Sequence, residues 1–292
     1  MTTSRQPNSI AIIGGDYRHF LLYQNLQKKG FPVTGIALFN PNVPENAPKH
    51  DGFSKITFPK SDIWITGIPF TKDKKHLFTA SPNHRITIDD FLNHLSKTKA
   101  KLLIGGSFPK EVVSFAREHQ IPCNDLLKNT ALTIDNAVPT AEGAIFHAIK
   151  ESPYTLHNNK ALVLGFGTCG KTLALKLRAL DAKVTVCARK EQDFAFAQSL
   201  GFETTDYQSL PDILPESLFI FNTVPALVLT RELLAVTNNH CLIIDIASLP
   251  GGCDDEAGKN LNKTIIHALG LPGKFSPQTA ADLLERHILK LI

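Results

Sequence analysis

The segment Ala161–Lys190, ALVLGFGTCGKTLALKLRALDAKVTVCARK, decides the fold of the second half of the chain. An apolar run leads into Gly165, Gly167 and Gly170, which have the GxGxxG spacing of a dinucleotide-binding turn. Leucines spaced for one face of a helix follow, and a second apolar run ends at Cys187. The order strand, glycine turn, helix, strand predicts a Rossmann unit whose helix amides face a pyrophosphate.

Each glycine of this turn has its own predicted role. Gly165 permits the tight turn, Gly167 lets the pyrophosphate approach the backbone, and Gly170 lets the helix pack closely on the strand. A purely structural turn is the alternative, but the strand–helix–strand context favours a nucleotide site. We therefore predict cofactor contacts along the whole turn, from Gly165, Phe166, Gly167, Thr168, Cys169 and Gly170.

The residues after the second strand, Ala188, Arg189 and Lys190, bear on the choice between NAD and NADP. An NAD site usually has an acidic residue here, which accepts hydrogen bonds from the ribose 2′-hydroxyl. A carboxylate would repel a 2′-phosphate, whereas the Arg189 guanidinium can bind one through two parallel hydrogen bonds. The sequence therefore favours NADP, with a solvated turn as the alternative for Arg189 and Lys190.

The composition of the chain argues against several classes of protein. A net charge of +4 on 292 residues, without a long Lys/Arg run, disfavours nucleic-acid binding. No apolar run reaches the roughly 18 residues of a membrane span, and the polar start MTTSRQPNS lacks a signal-peptide core. Five cysteines without a CxxC pair favour free thiols in a cytoplasmic protein. The sequence contains neither a clustered Cys/His metal set nor a hydrolase nucleophile elbow.

Strand-like and helix-like segments alternate in both halves of the chain. This pattern predicts two α/β, Rossmann-like domains with doubly wound parallel sheets, joined by bridging helices. The expected boundaries are 1–138 for a substrate domain and 139–276 for an NADP-binding domain, with a helix at 277–292 that returns to the first domain. A bridging helix at 139–152 begins at Pro139, because proline suits a first helical turn. Glu142 would then lie near the positive end of that helix.

Three further loops follow strands of the second domain, in the segments FNTVP, DIASLPGG and ALGLPGK. Ligands of open α/β sheets bind at the carboxyl ends of the strands, so these loops should complete the cofactor crevice. Each loop alone is more often a plain turn, but three at consecutive strand ends favour a cleft. The further cofactor residues that we predict are Asn222, Thr223, Val224, Pro225, Asp245 and Ala247.

Seven segments give the chain a wider resemblance: IAIIGGDYR, NAVPTAEG, VLGFGTCG, VCARK, FNTVP, DIASLPGG and LGLPGKFSPQTA. In this order they resemble the dipicolinate synthase A-subunit family along essentially the whole chain. The resemblance implies a two-lobed architecture similar to 2-hydroxyacid and alanine dehydrogenases. Two positions depart from the family pattern, because Thr168 and Leu249 stand where the family often has arginine. We expect these departures to affect affinity more than activity.

The resemblance also implies a reaction. It is the NADP-dependent oxidation of dihydrodipicolinate to dipicolinic acid during sporulation, in the mother-cell cytoplasm. The precursor is the hydroxylated tetrahydrodipicolinate of the lysine pathway, which loses water first. The implied partner is a flavoprotein-like B subunit in a heteromer. Removing a hydride and a proton makes the ring aromatic, so the protein needs mainly to position the ring and neutralise two carboxylates.

Candidate substrate residues follow from that requirement. We predict Arg18 and Lys274 as charge partners and Ser248 with the amides of Gly251 and Gly252 as orienting groups, with Ser107 and Lys110 as weaker candidates. Glu142 or Asp16 could accept the proton, although a carboxylate in a first helical turn is a weak base. Each of these side chains could instead form a surface ion pair or a helix cap.

Two other functions remain open. One is an NADP-linked dehydrogenase of another small carboxylic or amino acid with the same two lobes. The other is a nucleotide-binding regulatory or scaffolding protein without chemistry of its own, since spacing alone reveals no catalytic dyad. A substrate screen followed by NADPH absorbance separates these possibilities.

Overall fold

The computed structural model of the protein describes residues 8–42, 61–81 and 85–292. The start of the polar N-terminal segment therefore lies outside the described residues. Within them the chain forms two compact units: unit 1 contains residues up to Thr133 together with Ser276–Ile292, and unit 2 is Ile134–Phe275. Each unit has a parallel sheet with helices on both faces. This confirms the predicted α/β class with two doubly wound domains.

The secondary-structure elements have the following bounds. The strands are β1 Ile10–Ile13, β2 Val33–Ile36, β3 Ile63–Thr66, β4 Leu102–Gly105, β5 Cys123–Asp125, β6 Lys160–Leu164, β7 Lys183–Cys187, β8 Glu203–Thr205, β9 Phe219–Asn222, β10 Leu242–Asp245 and β11 Thr264–His267. The helices are α1 Tyr17–Lys28, α2 Ile88–Leu95, α3 Lys110–Glu118, α4 Thr130–Glu151, α5 Thr168–Ala179, α6 Glu191–Ser199, α7 Leu210–Ile213, α8 Arg231–Val236, α9 Asp255–Asn260, α10 Leu271–Phe275 and α11 Pro277–Ile288.

The sheet of unit 1 has the strand order β2-β1-β3-β4-β5. Strands β1 and β3 are buried along their whole length, as expected for parallel strands covered on both faces. Helices α1 and α11 pack on one face, where Leu22, Leu26 and Leu284 join the core. Helices α2 and α3 cover the other face. The strand order reverses between β1 and β3, which is where open α/β sheets bind their ligands.

The sheet of unit 2 has the strand order β11-β10-β9-β6-β7-β8. This is the Rossmann order, with the reversal between β6 and β9. Part of α4 packs with α5 and α6 on one face, and α7, α8 and α9 cover the other. The two sheets thus share the α/β architecture but differ in order, because unit 1 has the flavodoxin-like arrangement.

The predicted start of the bridging helix at Pro139 is wrong. Helix α4 begins nine residues earlier, at Thr130, and Pro139 lies inside it. The Asn129 side chain accepts a hydrogen bond from the Leu132 N–H at 3.1 Å, which caps the helix start. Leu132 is also buried in the core of unit 1, so packing favours the early start. Glu142 is therefore in the middle of a helix and not in its first turn.

Candidate functional site

The glycine turn joins β6 to α5 at the point where the strand order of unit 2 reverses. Gly165 has a φ of +90°, in the left-handed region, and a Cβ there would lie 2.6 Å from Thr223 Oγ1. A Cβ on Gly170 would collide with the Gly165 carbonyl oxygen. A Cβ on Gly167 would meet no atom within 4 Å. The first and third glycines therefore serve the fold, whereas Gly167 leaves open space above the backbone.

The N-terminus of α5 faces the ligand side of this turn. Gly167 is the N-cap residue, so no side chain caps the first amides of the helix. Thr168 and Cys169 follow as the first helical residues, and burial raises the pKa of the Cys169 thiol, which keeps it uncharged. Amides at a helix N-terminus bind phosphate groups. The turn therefore fits the pyrophosphate of a dinucleotide.

A cleft of about 780 Å³ lies beside the turn, within unit 2. Its volume is in the range of cofactor sites. Arg189 and Lys190 are exposed at its wall, directly after β7. The other lining residues come from the turn, from α6 and from the ends of β7, β8 and β9: Gly165, Phe166, Ala188, Asp193, Asp206, Tyr207, Gln208, Val224, Ala226, Leu227 and Val228. The cleft thus places the two cations in one space with the glycine turn.

Asn222 and Asp245, at the ends of β9 and β10, are buried and hold the neighbouring loops. Asn222 Nδ2 donates to Asp245 Oδ1 at 2.8 Å. Asp245 also accepts from the N–H groups of Ala247 at 3.0 Å and Gly252 at 2.8 Å. Asn222 bonds both the N–H and the carbonyl oxygen of Val224. These two predicted cofactor residues therefore shape the loops through contacts with protein groups.

The remaining predicted cofactor residues at these loops have different environments. Thr223 Oγ1 donates to the Leu164 carbonyl oxygen at 2.9 Å and so lies beneath the glycine turn. Pro225 is exposed, whereas Ala247 is buried. Of this group, Val224 is the residue that lines the cleft itself.

The loop after β10 uses its amides internally. The Gly251 N–H donates to the Ser248 carbonyl oxygen at 3.0 Å, and the Gly252 N–H is bonded to Asp245. The expectation that these two amides orient a substrate is therefore wrong, because the turn itself consumes both donors. The Ser248 side chain is exposed. Its hydroxyl stays a candidate for substrate contact.

Lys274 and Glu142 lie close to helix α4. Lys274 is exposed at the end of α10. Burial and then the charges of Lys150 and Lys274 lower the pKa of His147, a residue of α4, so Lys274 lies near that helix. Glu142 is exposed, and its Oε1 accepts a hydrogen bond from Lys176 Nζ at 2.8 Å. Glu142 thus forms a surface ion pair between α4 and α5.

A charged cluster lies at the strand reversal of unit 1. Arg18 is buried, its Nε and Nη2 groups both donate to the Asp16 carboxylate, and Nη2 also donates to the Ile68 carbonyl oxygen at 3.2 Å. Burial acts to raise the pKa of Asp16, but hydrogen bonds from His19 and Arg18 outweigh it and hold the pKa well below its usual range. Asp16 is thus ionised and a weak base, which counts against it as the proton acceptor.

The two weaker candidates of unit 1 lie at the end of β4. The Ser107 N–H donates to Asp125 Oδ1 at 3.1 Å, and Lys110 is the exposed first residue of α3. The Ser107 φ of 54° is in the left-handed region, which is uncommon for serine. Both residues therefore belong to the carboxyl edge of the sheet, as Asp16 and Arg18 do.

Comparison with known proteins gives two family matches and a full-length relative. Residues 9–127 match the N-terminal domain of the dipicolinate synthase A subunit, and residues 132–241 match the NAD binding domain of D-isomer specific 2-hydroxyacid dehydrogenases. The dipicolinate synthase A subunit of Bacillus subtilis (strain 168) is 27% identical over 97% of this chain and 95% of its own length. The chain is a relative of the dipicolinate synthase A subunit.

Solved structures of the dipicolinate synthase A subunit share this fold. The Bacillus halodurans structure has a TM-score of 0.82 and 26% identity, with 97% of each chain covered. The Bacillus subtilis structure has the same score and identity, over 100% of this chain and 97% of its own. A transhydrogenase from Sinorhizobium meliloti is 15% identical, with a TM-score of 0.66 over 97% of this chain and 93% of its own, and shares the fold alone.

As a relative of the dipicolinate synthase A subunit with this nucleotide-binding domain, the chain is an NAD(P)-dependent oxidoreductase that uses a nicotinamide nucleotide. No helix in the described parts of the chain is long and apolar enough to span a membrane. Sequence reasoning missed the part of the cleft wall formed after β8, which includes Tyr207 and Gln208. The signal was present, since this strand ends at the same sheet edge as β7.

Proposed function

We propose that the protein oxidises dihydrodipicolinate to dipicolinic acid with NADP during sporulation. The substrate would arise from the hydroxylated tetrahydrodipicolinate of the lysine pathway. The observation that carries the proposal is the relationship to the dipicolinate synthase A subunit over 97% of the chain. The bound nucleotide would supply the hydride acceptor, and the aromatic product provides the driving force. The residues of the chain then have to hold, orient and neutralise the substrate.

The proposed preference for NADP rests on Arg189 and Lys190. Both are exposed at the wall of the cleft, where a nucleotide on the glycine turn places its adenosine ribose. A guanidinium recognises a phosphate through paired hydrogen bonds, and a lysine adds a point charge. Arg189 would bind the 2′-phosphate directly and Lys190 would raise the local positive potential.

For the dicarboxylate we propose Arg18, Lys274 and the Ser248 hydroxyl. Asp16 and the Ile68 carbonyl oxygen hold the Nε and Nη2 groups of Arg18. This fixes the guanidinium in one orientation, so that its Nη1 group is the part proposed to meet a carboxylate. Lys274 would neutralise the second carboxylate, and Ser248 would orient the ring.

The proton lost with the hydride needs an acceptor. Of the two carboxylates considered, the low pKa of Asp16 disfavours it. Glu142 remains the candidate, and its ion pair with Lys176 is the feature that its role must accommodate. Because aromatisation favours loss of the proton, a weak base or water can suffice.

We also propose a partner and a compartment. The relatives are named as the A component of dipicolinate synthase, which supports a heteromer with a flavoprotein-like B subunit. The proposed site of action is the mother-cell cytoplasm. The partner would complete the enzyme without changing which unit binds the nucleotide.

A second candidate is favoured by the match of residues 132–241 to the 2-hydroxyacid dehydrogenase domain. In this case the protein is an NADP-linked dehydrogenase of another small carboxylic acid. The nucleotide site would be the same, and only the residues that contact the substrate would recognise a different ring or chain.

The test is to purify the protein with and without the B subunit encoded by the same organism. The lysine-pathway intermediate is supplied with NADP or NAD, and dipicolinate and reduced nucleotide are measured together. We expect equal amounts of both products, with faster turnover on NADP. Turnover of 2-hydroxy acids without dipicolinate would favour the second candidate. Nucleotide binding without any turnover, even with the partner, would instead indicate a non-catalytic protein.

A further inference from the structure

Two neighbouring strand ends bring Arg189 and Tyr207 to one edge of the cleft. Strands β7 and β8 are parallel, and their last pair is Cys187 with Thr205. One residue further, the Ala188 N–H donates to the Thr205 carbonyl oxygen at 3.1 Å. Arg189 and Tyr207 therefore follow their strands by the same number of residues, and both line the cleft.

The carboxylates of the cleft are directed to other partners. Asp193 Oδ1 lies 4.0 Å from Lys171 Nζ. Asp206 Oδ1 accepts a hydrogen bond from the Ser209 N–H at 2.8 Å, which caps the turn after β8. Both carboxylates thus have partners other than Arg189. Among the side chains at this wall, Tyr207 offers a neutral hydrogen-bond donor beside the guanidinium.

The environment of Tyr207 keeps its hydroxyl protonated. The ring is partly buried and packs against a core cluster that includes Cys187 and Leu210. Burial and the Cys187 thiol raise the pKa of Tyr207 to about 12, against the opposing influence of the Arg189 charge. The effect of Arg189 indicates that the two side chains are close. A phenol in this state donates a hydrogen bond at any physiological pH.

We propose that Tyr207 determines the nucleotide specificity together with Arg189, by donating a hydrogen bond from its hydroxyl to the 2′-phosphate of NADP. The inference rests on the proposed function, because it assumes that Arg189 binds that phosphate. The guanidinium supplies charge, and the phenol supplies a second direction of hydrogen bonding. NAD has a 2′-hydroxyl at this position and gains less from the phenol, since hydrogen bonds to charged groups are the stronger ones.

The experiment compares Tyr207→Phe with the wild-type protein in calorimetric titrations of NADP and NAD. Phenylalanine keeps the ring and its packing and removes only the hydroxyl. We expect the Kd for NADP to rise about tenfold, as for loss of a hydrogen bond to a charged group, and the Kd for NAD to change less than about twofold. Titrations with 2′,5′-ADP and 5′-AMP isolate the phosphate, and the preference for 2′,5′-ADP should fall by the same factor.

Tyr154→Phe is the matched control, because Tyr154 is a partly exposed tyrosine of the same unit whose ring contacts His240. It should leave both nucleotide affinities unchanged. Equal weakening of NADP and NAD by Tyr207→Phe, or no weakening of NADP, would overturn the role of Tyr207. If the wild-type protein itself binds NADP no better than NAD, the proposed cofactor preference fails first. The two failures are thus distinguishable.

Discussion

Asn222 Nδ2 donates a hydrogen bond to Asp245 Oδ1 at 2.8 Å, and this buried contact ties together the ends of two neighbouring strands. Asp245 then holds the Gly252 N–H, and Asn222 holds Val224 at the wall of the cleft. The loops beside the nucleotide site therefore depend on one buried carboxylate. Sequence position alone marked these residues as cofactor ligands, but their bonds assign them a supporting role.

Replacing Asp245 by Asn tests this support. The amide would keep two acceptor contacts but direct an NH2 group at one of the backbone N–H donors, leaving buried donors unsatisfied. We expect the free energy of unfolding to fall by about 2 kcal/mol and the KM for the nucleotide to rise severalfold. Asp254→Asn is the control, because Asp254 caps α9 and Asn caps a helix equally well. A destabilised variant with an unchanged nucleotide KM would contradict the link between this contact and the cleft.

The glycines of the turn should separate folding from binding. Gly170→Ala places a Cβ against the Gly165 carbonyl oxygen, so α5 must shift, and we expect a lower Tm together with loss of nucleotide binding. Gly167→Ala finds open space and a φ of −74°, which alanine adopts freely. It should leave the Tm within about 2 °C and still weaken nucleotide binding, because the methyl group occupies the ligand space. Thermal melts and titrations of both variants provide the check. Normal nucleotide affinity in Gly167→Ala would argue against this pyrophosphate position.

Arg189→Ala should shift the protein towards NAD. Loss of the guanidinium removes a charge-assisted contact with the 2′-phosphate, so we expect kcat/KM with NADP to fall by about 10- to 100-fold and that with NAD to stay within about twofold. The remaining NADP preference should weaken as salt is raised, because exposed charges are screened. Arg231→Ala, which removes an exposed arginine at the start of α8, is the control. Parallel losses with both nucleotides would show that Arg189 does not read the phosphate.

Glu142→Gln distinguishes a catalytic carboxylate from a surface ion pair. A general base contributes about 10²- to 10⁴-fold to the rate, whereas an exposed ion pair contributes about 0–1 kcal/mol to stability. Because Glu142 is exposed and bonded to Lys176, we expect kcat to change less than about threefold. Lys176→Gln is the matched variant, since it breaks the same pair from the other side. A loss of kcat confined to Glu142→Gln, and larger than about 100-fold, would establish Glu142 as the proton acceptor.

Asp16→Asn should make stability less dependent on acid. The folded pKa of Asp16 is lowered, so its contribution to stability is present above the unfolded pKa near 4 and is lost as pH falls towards the folded value. At pH 7 the variant leaves the buried Arg18 without its partner, and we expect a loss of about 3 kcal/mol. The difference from wild type should shrink below about pH 4. Urea unfolding from pH 3 to 8 measures it, with Asp282→Asn on the exposed face of α11 as control. A pH-independent difference would contradict the ion-pair explanation.

Local sequence signals predicted much of the fold. The GxGxxG spacing, the apolar strands and the leucine periodicity identified the glycine turn, α5 and β7, because each feature depends on residues that are near in sequence. The same patterns gave two parallel α/β sheets. The start of α4 was misplaced, since Pro139 is a strong local signal but the helix is stabilised by packing of Leu132 and by capping at Asn129.

By itself, then, the sequence determined the α/β class, the nucleotide turn and the cations after β7. Only the tertiary structure decided what the other polar residues do. It paired Asn222 with Asp245 and Glu142 with Lys176, and it placed Tyr207 at the same cleft wall as Arg189. The physical reason is that a turn is fixed by its own backbone conformations. The partner of a polar side chain is fixed by strand register and helix packing, which join residues far apart in the chain.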